Sequence, residues 1–225
     1  MQTTNWAADL DIEVRGDDVI SHTGSVITRI LADRIGLTNG LSDALARADV
    51  IHDRGFVLRD LAIALAGGAS CMSDIAALGD QSRIFGPVAS TSTLWRTLNE
   101  IDAKALKRLE KARNKARQKV WKLIKARHGK IPPVRTAYGD IDDVIVIRID
   151  ATLINSYSDK AFASGNFMGG YGFDPLTAWC DNTGECLAII PRAGNAGSNT
   201  AADHIAIIDA AIPICTVSTA LSSST

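Results

Sequence analysis

Asp150 ends a run of β-branched apolar residues, Val144-Ile145-Val146-Ile147, after Arg148 and Ile149, and Ala151-Thr152 follow it. A carboxylate at the end of a buried strand is where metal-dependent phosphoryl-transfer enzymes place a first ligand. Hard Mg²⁺ or Mn²⁺ prefers carboxylate oxygen. A pair of such ions activates a water or a DNA 3′-hydroxyl and stabilises the leaving oxygen. A lone strand-end aspartate also has a plainer use, capping the following turn with its own side chain. Asp150 is therefore the one candidate catalytic and metal-binding residue.

Residues 104–130 hold twelve Lys and Arg against one acid, Glu110, in a chain whose net charge is only −1. The positive charge is segregated, which is the footprint of a polyanion partner even when the total is near zero. Leu109, Ala112, Ala116, Val120 and Leu123 recur at intervals of three and four, predicting one long helix with cations on its other faces. Like charges at i, i+4 (Lys107–Lys111, Lys111–Lys115, Lys115–Lys119) repel without compensation inside the helix. A phosphate backbone would offset them and make binding steeply salt-dependent. The candidate DNA contacts are Lys107, Arg108, Lys111, Lys115, Lys119 and Lys122. An acidic protein surface is the competing partner.

Two smaller features bear on chemistry. Arg192, before the Gly194-Asn195-Ala196-Gly197 loop, is a candidate phosphate contact, since glycines let DNA approach backbone amides. The same loop also reads as a plain strand-to-helix connector. His204 has no companion at ligand spacing. Asp-x-Asp-x-Thr phosphatase chemistry is excluded, because Arg148 occupies the nucleophile's position and a guanidinium cannot attack phosphorus. Four cysteines without a C-x-x-C pair give no zinc site and no disulfide framework. No apolar run is long enough to span a bilayer, and no signal pattern opens the chain, so a cytoplasmic protein without a membrane partner is expected.

The elements that must hold these residues divide into two kinds. Residues 1–20 read as a flexible N-terminus. Helices are predicted from Val26, Ile27, Ile30, Leu31 and Ile35 (stopped by Gly36), from Leu41, Leu45 and Ala48, and from Val57 through Leu65. Met72, Ile75, Ala76 and Leu78 follow. Ser90, Thr91 or Ser92 then caps a helix carrying Leu94, Trp95, Leu98 and Ile101. That helix, bearing Arg96 and Asn99, suits either a helix-turn-helix reader or a plain bundle. Ile131-Pro132-Pro133 marks a boundary, with 131–142 as linker. Strands are predicted over 143–153 (apolar on both faces and therefore central), 171–179 and 185–191, with a hairpin turn at Asp181-Asn182-Thr183-Gly184. A helix capped by Asn199 or Thr200 carries Ala201, Ile205, Ile208 and Ile212. Residues 213–225 lack periodicity and read as an unstructured tail. The expected fold class is α+β: a helical DNA-binding region, 21–130, then an incomplete RNase H-like α/β domain of three strands and one helix, 143–212.

Arg148-Ile149-Asp150-Ala151-Thr152, Gly170-Tyr171-Gly172-Phe173-Asp174-Pro175-Leu176, the turn at 181–185 and the stretch from Arg192 to His204 resemble the DDE transposases of bacterial insertion sequences. The nearest branch is the insertion sequence 1380 group, related to the insertion sequence 4 superfamily. Leu31 to Leu37, Asp74 to Leu78 and Phe85 to Ser90 are also similar, and the resemblance runs from about residue 19 to about residue 212. It implies DNA transposition and recombination, binding of terminal inverted repeats and target DNA, homo-oligomers, and an Asp, Asp, Glu triad holding Mg²⁺ or Mn²⁺. Asp150 matches the first Asp, and the other two positions have no counterpart here. Asp174, Asp181 and Glu185 do not lie where the family places ligands. The resemblance therefore implies a truncated, frameshifted or split chain, inactive alone, or a non-catalytic DNA-binding inhibitor.

Overall fold

The computed structural model describes residues 22–157, 159–197 and 199–219, with side chains to residue 212. The N-terminal stretch 1–20 and the tail from 220 lie outside the described residues. Two compact units divide the chain, the first ending at Lys119 and the second beginning at Val120. The division falls within the long basic helix.

The first unit is helical. Helix α1 (Ser25–Arg34) stops where Gly36 turns left-handed at φ 79°, and α2 (Leu37–Ala44) follows at once. Helix α3 (Arg54–Ala66) is capped by Asp53, which accepts the Phe56 amide at 3.0 Å and the Ser42 hydroxyl at 2.5 Å. Gly55 lets α3 meet α2, since a Cβ there would lie 2.1 Å from the Ser42 amide nitrogen. A 3-10 turn (Met72–Ile75) leads into two four-residue helices, α4 (Ala76–Gly79) and α5 (Ser82–Phe85). Helix α6 (Thr91–Asn99) takes Ser90 as its cap, the first of the three candidates. Val26, Ile63, Leu78 and Phe85 form one core cluster, and Val57, Ile75, Ala89 and Leu94 another.

Between these helices lies a buried ion pair. Arg59 and Asp60, both nearly sealed from solvent, approach to 2.7 Å, and the Arg59 guanidinium sits 4.7 Å from the Phe56 ring. Burial pushes the Asp60 carboxyl up from its ordinary value, and burial together with Arg59 lowers Arg29 to about 10.

Helix α7 (Ala103–His128) is the predicted basic helix. Its apolar side differs from the expectation. Leu123 is exposed, whereas Trp121 is buried in the core of the second unit with Leu176, Ala178, Cys180, Leu187, Ile207 and Ala211.

Small antiparallel sheets follow. β1 (Val134–Thr136) and β2 (Gly139–Ile141) form a hairpin inside the predicted linker. β3 (Ile147–Ala151) pairs with β7 (Leu176–Cys180), which pairs with β8 (Glu185–Ile190). β4 (Ile154–Asn155), β5 (Ser164–Gly165) and β6 (Tyr171–Phe173) form the third sheet, in the order β4-β6-β5. Two expectations need correction. The strand expected at 171–179 is broken at Asp174-Pro175 into β6 and β7, which belong to different sheets; proline has no amide to give a ladder. And β3, shorter than 143–153, lies at an edge of its sheet among the described residues, with burial that alternates along it. Ile147, Ile149 and Ala151 pack toward the core, while Arg148 and Asp150 face out.

The last helix, α8 (Ala201–Thr219), passes through Pro213, so residues 213–219, expected to be unstructured, are helical. A proline deletes one rung of the helix ladder, at about 3 kcal/mol, without forbidding the next turn. The fold is thus mixed α and β, with a helical N-terminal part as expected.

Candidate nucleic-acid interface and the Asp150 strand

Asp102 starts α7 by accepting the Ala105 amide at 2.7 Å, as short carboxylates at helix N-termini do. Ala105, Ala112 and Ala116 are buried, and that leaves Lys107, Lys111 and Lys115 exposed on one face. Successive members are about 6 Å apart along the axis. Lys122 is exposed on the part of α7 that belongs to the second unit.

Two more of the cations predicted to meet DNA, both on α7, have work inside the first unit. Arg108 Nε donates to the Ala44 carbonyl at 2.8 Å, and Lys119 Nζ to the Arg34 carbonyl at 2.5 Å. Those carbonyls close α2 and α1, the ends where a helix has unpaired acceptors and a negative dipole pole. Arg96 and Asn99 are exposed on α6, with Trp95 beside them. Arg96 lies back along its own helix, donating to the Ser92 carbonyl and the Thr93 hydroxyl, each at 3.2 Å.

Asp150 is held by its backbone, which leaves its side chain open. Its carbonyl accepts the Thr177 hydroxyl at 2.9 Å, and Trp179 Nε1 donates to the same Thr177 oxygen at 2.9 Å. Asn182 pins the approach to β3. Its Oδ1 accepts the Val146 amide, and its Nδ2 donates to the carbonyls of Pro132 and Val144, all at 2.9 Å. Two residues before Asp150 on the same face, Arg148 pairs with Asp181 at 3.0 Å.

Three other carboxylates of the second unit are engaged elsewhere. Trp121 Nε1 and the Thr183 hydroxyl both donate to Glu185 Oε1. Asp174 lies against Arg192 at 2.8 Å, and Asp203 lies 3.7 Å from the same guanidinium. Hydrogen bonds from the Thr200 amide and hydroxyl, with Arg192 nearby, hold the Asp203 carboxyl below its ordinary value. Arg192, expected to offer itself to a phosphate, is thus enclosed by two acids, and the connector role is the one its contacts serve. His204 Nδ1 lies 2.9 Å from the Thr200 carbonyl.

A divalent ion of the Mg²⁺ or Mn²⁺ type needs about six oxygen ligands, several of them anionic. Among the described residues no group of three or more His, Cys, Asp or Glu is placed to hold one. Asp150 supplies a single carboxylate, so the described residues do not fit a complete two-ion centre. Among them too, no helix is long and apolar enough to cross a membrane.

A strand-borne carboxylate in one chain with an exposed cationic helix is the equipment of proteins that act on DNA. A family model described as transposase DDE domain, group 1, matches residues 3–213, and the chain belongs to that family. Transposition is therefore its function class and DNA its partner. No curated protein and no solved structure matches the chain.

Proposed function

We propose that this chain binds the terminal inverted repeats of an insertion sequence of the 1380 group and serves metal-dependent DNA strand cleavage and transfer. The exposed stripe of Lys107, Lys111 and Lys115 carries this reading, because a family member acting on DNA needs a surface for its backbone. Lys122 would be a phosphate contact of the second unit. Arg96 and Asn99 on α6 would supply base-edge contacts, since Arg suits guanine and Asn suits adenine in the major groove.

Asp150 would be one oxygen ligand of the ion, on an RNase H-like sheet whose opposite face is closed by α8. Its open side chain and backbone anchoring support that role. The ion would supply an activated hydroxyl and charge stabilisation when bound. Companion carboxylates would have to come from outside the described residues.

A second reading has its own observation. Because no three acids converge among the described residues, the chain alone would occupy the element's ends without cutting them. Binding of the full chain to its own terminal repeats and to a scrambled duplex tests both readings. They predict a preference for the repeats on the order of a thousandfold, the lower end of the usual range of specific over non-specific binding; equal affinity would refute end recognition. Nicking of the bound repeat with Mn²⁺ present would favour the first reading over the second.

A further inference from the structure

The cationic stripe on α7 leads to a cavity. Arg108, Lys111 and Lys115 stand at i, i+3 and i+7, so they share one face of the helix, and all three are exposed. Beside Arg108 opens a cavity of about 160 Å³, formed wholly within the first unit and lined by Arg47, Arg54, Glu100, Asp102 and Arg108. Three guanidiniums from different parts of the chain meet there: Arg47 after α2, Arg54 at the first turn of α3, and Arg108 on α7. Glu100 faces them. Arg54 donates to both of its oxygens, at 2.9 and 3.1 Å, and Arg47 approaches one of them at 3.2 Å. These contacts, Arg54 first, hold the Glu100 carboxyl below its ordinary value, so it is charged at neutral pH. Asp102 turns Oδ1 to the Ala105 amide as the cap of α7. Arg108 gives Nε to the Ala44 carbonyl, and its two terminal nitrogens have no partner among the described residues. Three cations against two acids leave the cavity positive.

We infer that this cavity binds one phosphate of the DNA laid along α7, with Arg47, Arg54 and Arg108 as its donors and Glu100 as the group it displaces. This rests on the reading of the chain as DNA-binding. Planar guanidiniums match phosphate oxygens in pairs, as they match the carboxylate that now stands in the phosphate's place. The cavity has roughly ten times the room that one water needs, enough for a phosphate group. Displacing Glu100 costs little: its side chain is 33% exposed and that of Arg47 58%, and ion pairs open to water add little stability. Arg54, only 12% exposed, is the fixed part of the site. A purely structural ion-pair knot needs neither the cavity nor a third arginine with open nitrogens. Position settles the source of the phosphate. Arg108 lies about 4.5 Å along the axis from Lys111, so a backbone held by Lys111 and Lys115 passes the cavity.

The test measures binding of the full chain to terminal-repeat duplexes, each carrying one neutral methylphosphonate linkage at a different position. Neutralising a contacted phosphate should weaken the wild type about tenfold, the lower end for a lost charged hydrogen bond. R47A/R54A should abolish that penalty at one position and keep those set by the lysines. R47A alone, at an exposed site, should shrink the same penalty, which covers a double variant that fails to fold. E100Q keeps the shape of the cavity and removes the competing charge. It should tighten the unmodified duplex about threefold and leave unchanged the duplex that is neutral at that one position. Penalties unaltered in the arginine variants overturn the assignment, as does E100Q tightening both duplexes equally, which is long-range charge alone. If inorganic phosphate raises the melting temperature of the wild type but not of R47A/R54A while every penalty persists, the cavity belongs to free phosphate and the assignment falls. A wild type that binds no duplex overturns the DNA reading and this inference with it.

Discussion

Arg192 and Asp174 form a double contact between loops eighteen residues apart. Nη2 lies 2.8 Å from the Asp174 carboxylate and Nε 3.0 Å from its backbone carbonyl, with the two side chains only 11% and 10% exposed. The pair ties the end of β6 to the start of the loop before α8. Removing one partner leaves a buried charge uncompensated, which costs about 3–5 kcal/mol. R192A should therefore lower the denaturant midpoint strongly. A variant as stable as wild type but weakened only in DNA affinity would return Arg192 to the role of phosphate contact.

Arg108 and Lys119 should separate from their neighbours on α7. Each donates to the last carbonyl of a helix, so R108A and K119A should each cost about 1 kcal/mol of stability. K107A and K111A, at open positions, should stay within about 0.5 kcal/mol of wild type. Thermal unfolding of the four single variants checks this; equal melting temperatures would contradict the two contacts.

Asp150 contributes its backbone carbonyl to the sheet, and its carboxylate faces out. D150A should then change stability by no more than about 0.5 kcal/mol and leave DNA affinity intact. A large loss in a chemical unfolding curve would show that the carboxylate is structural.

Asp74 gives a pH signature. The Cys71 thiol, then the amides of Ser70 and Cys71, donate to its carboxylate and lower it to about 2. The unfolded carboxyl titrates near 3.9, so these bonds stabilise the fold fully above about pH 4 and are lost as pH falls toward 2. D74N should flatten the fall in urea midpoint across that window. An unchanged acid limb would exclude Asp74 as a contributor.

Much of the helical half was legible because its signals are local. Gly36 and Ser90 end and begin helices where their backbone chemistry says they should, and the 181–184 turn joins β7 to β8. What failed depends on distant partners. The apolar run before Asp150 suggested a central strand, but Val144 and Val146 are held by Asn182 from the hairpin turn, and only β3 pairs. Leu123 fitted the helical period as well as Trp121 did. The choice between them is made by a second core that the spacing along one helix does not reveal. The pairing of Arg192 with Asp174 was not legible either, because the acid lies eighteen residues away across a loop. The exposure of Phe167 and Met168 is a property of the fold that their place in the sequence does not reveal.

The salt dependence of duplex binding tests the central claim most directly. If Lys107, Lys111 and Lys115 neutralise phosphates, log K should fall steeply with log salt in the wild type. The K107A/K111A/K115A variant should lose about 2.7 from that slope, at roughly 0.9 per phosphate contact. A flat response in the wild type, or an identical slope in the triple variant, would contradict the account and leave an acidic protein surface as the partner of the helix.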